Sequence, residues 1–254
     1  MKVLTVIPAR YASTRYPGKP LAVLRGATGE AKSLLRRSWE AAVAADLGRV
    51  VIATEDERIM EAAAAFGAEA VMTPDSCRNG TERCAAALRA LGEDADCIVN
   101  LQGDAPLTPP WFVRPLVDAV RDGAAMATPV LLSTPQHADA LRADRQQGRV
   151  GGTTAVTDAS GNALYFSKEV LPYGATPLHH VGVYAYTPAA LASYLSWEPS
   201  PLELAEGLEQ LRFLHHGHPV RCVTVEDRGR PFWELNNPED VPRIEAMMVE
   251  IGMA

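Results

Sequence analysis

The 254-residue chain has no run of about 18 apolar residues, the length that a membrane-spanning helix requires. Its first apolar run, Val3 to Pro8, is short and is followed at once by Ala9 and Arg10. A signal peptide would have a longer apolar region and a cleavage site of small residues. We therefore expect no membrane partner and a cytoplasmic location.

Cysteine is scarce, and no two cysteines form the CxxC pair that is typical of structural zinc. Most histidines are close together in the chain, but their spacing fits no standard zinc motif. We expect free, buried thiols, as is usual in a reducing compartment. The cysteines are Cys77, Cys84, Cys97 and Cys222.

An excess of positive charge is also missing, since the net charge is −7 at pH 7. Nucleic-acid-binding proteins are more often basic, so the composition argues against a nucleic-acid partner. The chain contains neither a Walker motif nor a GxGxxG dinucleotide fingerprint. A local cluster of Arg and Lys can still bind phosphate in an acidic protein.

Short apolar strands alternate with helical patterns of ten or so residues in the first half of the chain. This alternation predicts βαβ units on a mostly parallel sheet, hence the α/β class, and the length favours one domain over residues 1–254. In the second half, Gly161-Asn162 between two strand-like runs predicts a β-hairpin. A single helix is predicted from Pro201 to His215, and a surface position would explain its charges.

The segment directly after the first predicted strand carries three cations and several hydroxyl groups. In open parallel sheets, ligands bind beyond the carboxyl ends of the strands. Arg10, Arg15 and Lys19 can offset the charge of a triphosphate there, and Ser13 with main-chain N–H groups can hold phosphate oxygens. From composition alone, a solvated basic turn is an equally good interpretation.

Two further segments each allow a functional and a structural interpretation. Asp104 follows Gly103 after the fourth predicted strand, where its carboxylate would suit Mg²⁺ or would simply cap a turn. In Asn79-Gly80-Thr81-Glu82-Arg83, local pattern favours Thr81 as the cap of the following helix.

Taken together, seven segments in this order resemble the 3-deoxy-manno-octulosonate cytidylyltransferases, or CMP-Kdo synthetases. They span nearly the whole chain, and the first is highly specific for this family and its sialic-acid relatives. The segments are PARYASTRYPGKPL (8–21), NGTERCAAAL (79–88), VNLQGDAP (99–106), ALYFSK (163–168), HHVGVYAY (179–186), SPLELAEGLEQLR (200–212) and NNPEDV (236–241).

The resemblance implies a Rossmann-like, mostly parallel sheet with flanking helices and a small β-hairpin lobe that forms a homodimer. It also implies a nucleotidyltransferase that joins CTP to Kdo or a close analogue, with Mg²⁺, for lipopolysaccharide biosynthesis. The site residues it implies fall into four groups: Arg10, Ser13, Arg15 and Lys19 for the CTP phosphates; Ala9, Asn79, Gly80, Thr81 and Arg83 for the cytidine; Gln102, Lys168, His180, Tyr184, Glu209 and Gln210 for the sugar acid; and Asp104 with Asn236 for the metal. Lys19, Asp104 and Arg10 are the implied catalytic residues.

The sequence departs from the family pattern at two of these positions and at Ala105, which directly follows Asp104. Ala105 replaces the acidic residue of QGDEP, Asn236 replaces the first Asp of DTPEDL, and Lys168 replaces the usual Arg. Asn236 leaves open a non-catalytic nucleotide- or sugar-binding homologue, and a nucleotidyltransferase with another base or acceptor is a further alternative. We hypothesise that CTP is the donor and that the acceptor differs from plain Kdo, with an amino-substituted Kdo or a nonulosonate as candidates.

Overall fold

In the computed structural model, the chain divides into two compact units, which we describe separately. The first unit comprises Met1–Arg114 and Asp227–Ala254, and the second comprises Pro115–Glu226. The structure describes residues 1–13, 16–104, 106–150, 152–231 and 233–254. The single domain expected from the sequence stays a prediction.

The strands and helices alternate through much of the described chain. The strands are β1 Val3–Ala9, β2 Val23–Arg25, β3 Ala31–Ser33, β4 Arg49–Thr54, β5 Ala70–Met72, β6 Cys97–Leu101, β7 Met126–Leu132, β8 Thr153–Thr157, β9 Ala163–Ser167, β10 Leu178–His180, β11 Val183–Tyr186 and β12 Arg221–Thr224. The α-helices are α1 Leu34–Ala44, α2 Glu57–Ala65, α3 Gly80–Leu91, α4 Val113–Arg121, α5 Pro135–Gln146, α6 Pro188–Ser196, α7 Pro201–Glu206, α8 Leu211–His215 and α9 Val241–Glu250. Short 3-10 helices occupy Lys19–Leu21, Pro110–Phe112 and Pro238–Asp240.

The first unit contains four parallel strands in the order β5-β4-β1-β6. Its central strands are apolar and buried, which suits parallel strands covered on both faces. Because parallel strands end at the same edge, the segments that follow β1, β4 and β6 emerge at one side of this sheet. These segments begin at Arg10, Glu55 and Gln102.

The C-terminal helix of the first unit packs on the residues that follow the Lys19 segment. A buried apolar cluster joins β2, α1 and α9, and it consists of Leu24, Leu34, Leu107, Leu235, Ile244 and Met248. Arg37, which is fully buried on α1, donates to the main-chain oxygens of Leu24 at 2.9 Å and Ala254 at 2.5 Å. Apolar packing and one buried guanidinium thus fix β2 next to the chain's last residues.

Helix starts in the first unit follow side-chain caps. Ser33 accepts a hydrogen bond from the Arg36 N–H and starts α1, whose first residue is Leu34. Asn79 accepts from the Glu82 N–H at 2.9 Å and starts α3. The interpretation of Thr81 as that cap is wrong, because the extended backbone of Asn79 places its side-chain oxygen over the first turn.

The second unit has a mixed sheet arranged around β7. Strand β12 pairs with β7 in parallel, whereas β10 and β11 pair with it antiparallel. Strand β8 pairs with β10 and with β9, and both pairings are antiparallel. The β8–β9 pair is the predicted hairpin, and Gly161 in its turn adopts φ +81°, a conformation that favours glycine.

These elements confirm the predicted α/β class with a parallel sheet and flanking helices. The described residues include no helix that is both long and apolar enough to cross a membrane.

Candidate functional site

The loop after β1 is closed at its neck by hydrogen bonds to one carbonyl group. The Tyr11 carbonyl accepts the Ser13 and Gly18 N–H groups, both at 2.9 Å. Gly18 has φ +71°, and a Cβ atom there would lie 3.2 Å from the Tyr11 ring, so glycine suits this position on two counts. The 3-10 helix of Lys19 follows directly. We call residues 10–20 the donor loop.

Two of the residues predicted to bind phosphate, Arg10 and Ser13, lie in the described part of the donor loop. Arg10 is exposed at the end of β1, directly after the buried Ala9. Ser13 Oγ accepts the Tyr16 N–H at 3.4 Å and so shapes the loop. Arg15, the third predicted cation, lies outside the described residues.

Lys19 and Asp104 form an ion pair between the donor loop and the segment after β6. The Lys19 Nζ atom lies 2.9 Å from Asp104 Oδ2, and both side chains are mostly buried, with 15% and 26% exposure. The two residues are 85 positions apart in the chain, and neighbouring parallel strands bring them together. Two of the three residues predicted to be catalytic, Lys19 and Asp104, are therefore in direct contact.

The candidate metal residues approach each other through the main chain. The Leu235 N–H donates to the Asp104 carbonyl at 2.8 Å, which places Asn236 beside the Asp104 segment. Asn236 contacts Glu234 through its side-chain amide at 3.4 Å. Asp240 accepts the N–H groups of Asn236 and Asn237, so its carboxylate holds this turn together.

Oxygen donors of this kind fit Mg²⁺. The carboxylate of Asp104 and the amide of Asn236 supply hard oxygen atoms, and Mg²⁺ commonly binds proteins through one or two carboxylates plus substrate phosphates and water. Among the described residues, no group of three or more His, Cys, Asp and Glu side chains forms a metal cluster.

The start of α3 contains the residues predicted to frame the cytidine. Asn79 caps the helix, Gly80 is its first residue, and Thr81 is buried. Arg83 is also buried, and its guanidinium donates to Thr73 Oγ1 at 2.7 Å and lies 3.0 Å from the Glu55 carboxylate. Arg83 therefore has two protein partners, which its sequence position did not indicate.

In the second unit, three of the residues predicted for the sugar acid lie close together. Tyr184 donates its hydroxyl to Gln210 Oε1 at 3.2 Å, and both side chains are buried. The His180 ring lies 5.7 Å from the Tyr184 ring, measured between centroids. His180 Nε2 lies 2.9 Å from the hydroxyl of Thr128, which donates in turn to the Val183 carbonyl.

Lys168 is fixed through a residue that the sequence did not identify. Glu206, at the end of α7, accepts the Lys168 N–H at 2.9 Å and the Ser167 hydroxyl at 2.8 Å. Gly207, with φ +63°, ends α7 beside the Lys168 ammonium group, and a Cβ atom there would lie 2.9 Å from Nζ. A glutamate within a charged helix gives no sequence signal for such a contact.

The other predicted sugar-acid residues lie at the ends of regular elements. Glu209 and Gln210 lie in the turn between α7 and α8, since Gly207 breaks the single helix predicted for this region. Gln102 directly follows β6 and is partly buried in the first unit. The sequence prediction of one continuous helix is wrong here, because the left-handed conformation of Gly207 ends α7.

Burial holds His179 and His180 in their neutral forms. The loss of solvation lowers the pKa of each imidazole from 6.5 to about 3, and a neighbouring histidine adds to the effect in each case. Because the folded-state pKa lies below the unfolded value, the unfolded chain binds more protons as pH falls below 6.5. The stabilising contribution is therefore present above about pH 6.5 and is lost towards pH 3.

We expect the free energy of unfolding to fall by about 1 kcal/mol per buried imidazole between pH 7 and pH 5.5. Urea unfolding at the two pH values measures this change. Exchanging His179 for glutamine should reduce the pH dependence by about half, whereas His215→Gln, at an exposed position, should leave it unchanged. Equal pH dependence in all three proteins would contradict the assignment.

Comparisons with known proteins show the family to which the chain belongs. The chain matches the family model for cytidylyltransferase over residues 4–223. It is 45% identical over 261 residues to 3-deoxy-manno-octulosonate cytidylyltransferase of Maricaulis maris, with 99% of each chain covered. It is 36% identical to the mitochondrial 3-deoxy-manno-octulosonate cytidylyltransferase of Arabidopsis thaliana, with 100% of this chain and 85% of the relative covered.

A solved structure shows the same fold. The structure of CMP:2-keto-3-deoxy-manno-octonic acid synthetase complexed with CTP has a TM-score of 0.85 and 32% sequence identity, with 99% of this chain and 100% of that chain covered. The chain therefore belongs to the cytidylyltransferase family, among the 3-deoxy-manno-octulosonate cytidylyltransferases. The predicted resemblance and the predicted enzyme class, nucleotidyltransferase, are both confirmed.

Proposed function

We propose that the chain transfers a cytidylyl group from CTP to 3-deoxy-manno-octulosonate and releases pyrophosphate. The observation that carries this proposal is the contact of Lys19 with Asp104 at the carboxyl edge of a parallel sheet, next to the donor loop. The names of its relatives and the likeness to a synthetase solved in complex with CTP support it. The product would supply an activated sugar for lipopolysaccharide biosynthesis.

In this proposal, the donor loop and the start of α3 hold CTP. Arg10, Arg15 and Lys19 offset the charge of the triphosphate, and Ser13 with main-chain N–H groups binds its oxygens. Ala9, Asn79, Gly80 and Thr81 frame the cytidine. Arg83 supports these residues from within the protein, since its guanidinium is buried against Thr73 and Glu55.

Asp104 and Asn236 would hold Mg²⁺, which supplies charge stabilisation at the phosphate oxygens when it is bound. The positive charge of the Lys19 ammonium group would also stabilise the phosphate oxygens, and it forms an ion pair with the Asp104 carboxylate. The anomeric hydroxyl oxygen of the sugar acid forms a bond to the α-phosphorus, the bond from that phosphorus to pyrophosphate breaks, and the hydroxyl proton passes to solvent. This reaction needs positioning and electrostatics, and it uses no side-chain nucleophile.

For the acceptor we propose Lys168, His180, Tyr184, Glu209 and Gln210 of the second unit. The assignment of Gln102, in the first unit, to the sugar acid stays a prediction. The Lys168 ammonium group would pair with the sugar carboxylate, and Glu206 fixes the Lys168 main chain. Neutral His180 and the Tyr184–Gln210 pair offer hydrogen bonds to hydroxyl groups. A cytoplasmic location belongs to this proposal. We also propose a homodimer through the hairpin lobe, and the exposed apolar side chain of Leu164 on β9 supports it.

We expect CTP with Kdo to release pyrophosphate at least about 100-fold faster than UTP, GTP or ATP with Kdo. A pyrophosphate assay that crosses these nucleotides with Kdo, an amino-substituted Kdo and a nonulosonate measures this. Binding of CTP without pyrophosphate release would indicate a non-catalytic homologue instead. Faster turnover of an analogue than of Kdo would reassign the acceptor and leave the donor unchanged.

A further inference from the structure

The carboxylate of Glu55 lies between the donor loop and α3. Glu55 is the first residue after β4, and its Oε1 atom accepts the Tyr11 N–H at 3.0 Å. Its Oε2 atom lies 3.0 Å from Arg83 Nη2. One carboxylate thus contacts two segments that are about 70 residues apart in the sequence.

The two contacts of Glu55 are made to the neck of the donor loop and to the start of α3. The Tyr11 peptide closes the neck of the donor loop, because its carbonyl accepts the Ser13 and Gly18 N–H groups. Arg83 lies in the first turn of α3, where its own N–H donates to the Asn79 carbonyl. A shift of the Glu55 carboxylate would therefore move the loop neck, the helix start, or both.

The surroundings make these contacts strong. The Arg83 side chain is 3% exposed and the Glu55 side chain is 13% exposed, so water screens the ion pair weakly. The hydrogen bond from the Tyr11 N–H has an ionised acceptor, and hydrogen bonds of that kind are roughly twice as strong as neutral ones. The contact between Arg83 and Glu55 is an ion pair at 3.0 Å. Removing the carboxylate charge would leave the buried Arg83 guanidinium with the neutral Thr73 hydroxyl and no matching negative charge at this contact.

We propose that Glu55 is a positioning residue that fixes the donor loop relative to the start of α3. It acts through Tyr11 and Arg83 and does not touch the nucleotide. The inference rests on the proposed function, because it assigns the phosphates of CTP to the loop and the cytidine to the helix start. Misplacement of either segment would weaken CTP binding and leave the acceptor residues of the second unit unchanged.

The first test needs no nucleotide. In Glu55→Gln, the amide nitrogen would face the Arg83 guanidinium, so two donor groups would meet and the contact would break. We expect the Ser13, Gly18 and Arg83 amides to exchange hydrogen at least about tenfold faster than in the wild type. The matched control is Glu61→Gln, the same change at an exposed position on α2, which should leave these rates unchanged.

The second test measures ligands separately. In Glu55→Gln, the Kd for CTP should rise about tenfold, and the KM for the sugar acid should stay within about twofold of the wild type. A merely structural role would lower the thermal midpoint and the active fraction without this selectivity for CTP. If Glu55→Gln does not fold, Glu55→Asp retains the charge but shortens the reach, and a smaller loss of the same selectivity is expected.

The outcomes separate this inference from the proposed function. Unchanged exchange of the three amides, or unchanged CTP affinity despite faster exchange, would overturn the role of Glu55. If wild-type protein binds no CTP, the proposed function fails, and the exchange experiment still decides whether Glu55 fixes the two segments.

Discussion

Substitution of Asp104 by asparagine is expected to lower kcat for pyrophosphate release about 100- to 1,000-fold. The change removes the charge that lies 2.9 Å from Lys19 Nζ and that we propose as the main ligand of Mg²⁺. Steady-state pyrophosphate release at saturating CTP, Kdo and Mg²⁺ measures the effect. CTP affinity without metal should change by less than about threefold, because Lys19 and the rest of the donor loop stay in place.

The fold should tolerate this substitution. The bond that joins the Asp104 segment to Leu235 uses the Asp104 carbonyl, which asparagine retains. Asp94→Asn is the matched control, since Asp94 precedes the opposite end of β6 and its side chain is 96% exposed. Activity of Asp104→Asn within about tenfold of the wild type would rule out a central role for this carboxylate.

The predictable part of the fold is the part that local sequence periodicity encodes. Buried parallel strands read as short apolar runs, such as Arg49–Thr54, and these runs alternate with helical patterns. The composition of the donor loop and its place after a strand made Lys19 a candidate for phosphate binding, and that role stays a prediction. Periodicity carries no information about which strand ends become neighbours, so the Lys19–Asp104 contact required the structure.

Contacts of buried charges were the least predictable feature. Glu55 lies 44 residues from Tyr11 in the sequence, and no sequence pattern around either residue predicts their hydrogen bond. Arg83 was assigned to the nucleotide by resemblance, yet its guanidinium is buried against Thr73 and Glu55. The sequence alone does not show whether the side chain of an arginine in a helix contacts water, a ligand or another buried charge.

The charged segment from Ser200 to Arg212 illustrates the same difficulty. Its charges are typical of an exposed helix, but Gly207 ends α7, and the chain turns before α8 begins at Leu211. This turn brings Arg212 Nε and Nη2 to the two Glu203 carboxylate oxygens, each at 2.6 Å. Tyr194 donates its hydroxyl to Glu203, and its ring lies 3.9 Å from the Arg212 guanidinium carbon.

Exchange of Arg212 for methionine is therefore expected to lower the free energy of unfolding by about 3–5 kcal/mol. The Arg212 side chain is 1% exposed and that of Glu203 is 10% exposed, so the substitution leaves a buried carboxylate without its guanidinium. For a chain of this size, the loss corresponds to a fall of roughly 10 °C in the thermal midpoint. Denaturant unfolding and calorimetry measure the two quantities.

Arg121→Met provides the matched control, because Arg121 pairs with Asp118 on α4 at the surface, where the side chains are 57% and 45% exposed. Exposed pairs contribute about 0–1 kcal/mol, so this variant should unfold close to the wild type. Combining Arg212→Met with Glu203→Gln should recover a large part of the loss, since neither charge is then buried alone. An equal loss in the single and double variants would mean that packing of the Arg212 stem on Tyr194, rather than the charge of Glu203, stabilises this part of the second unit.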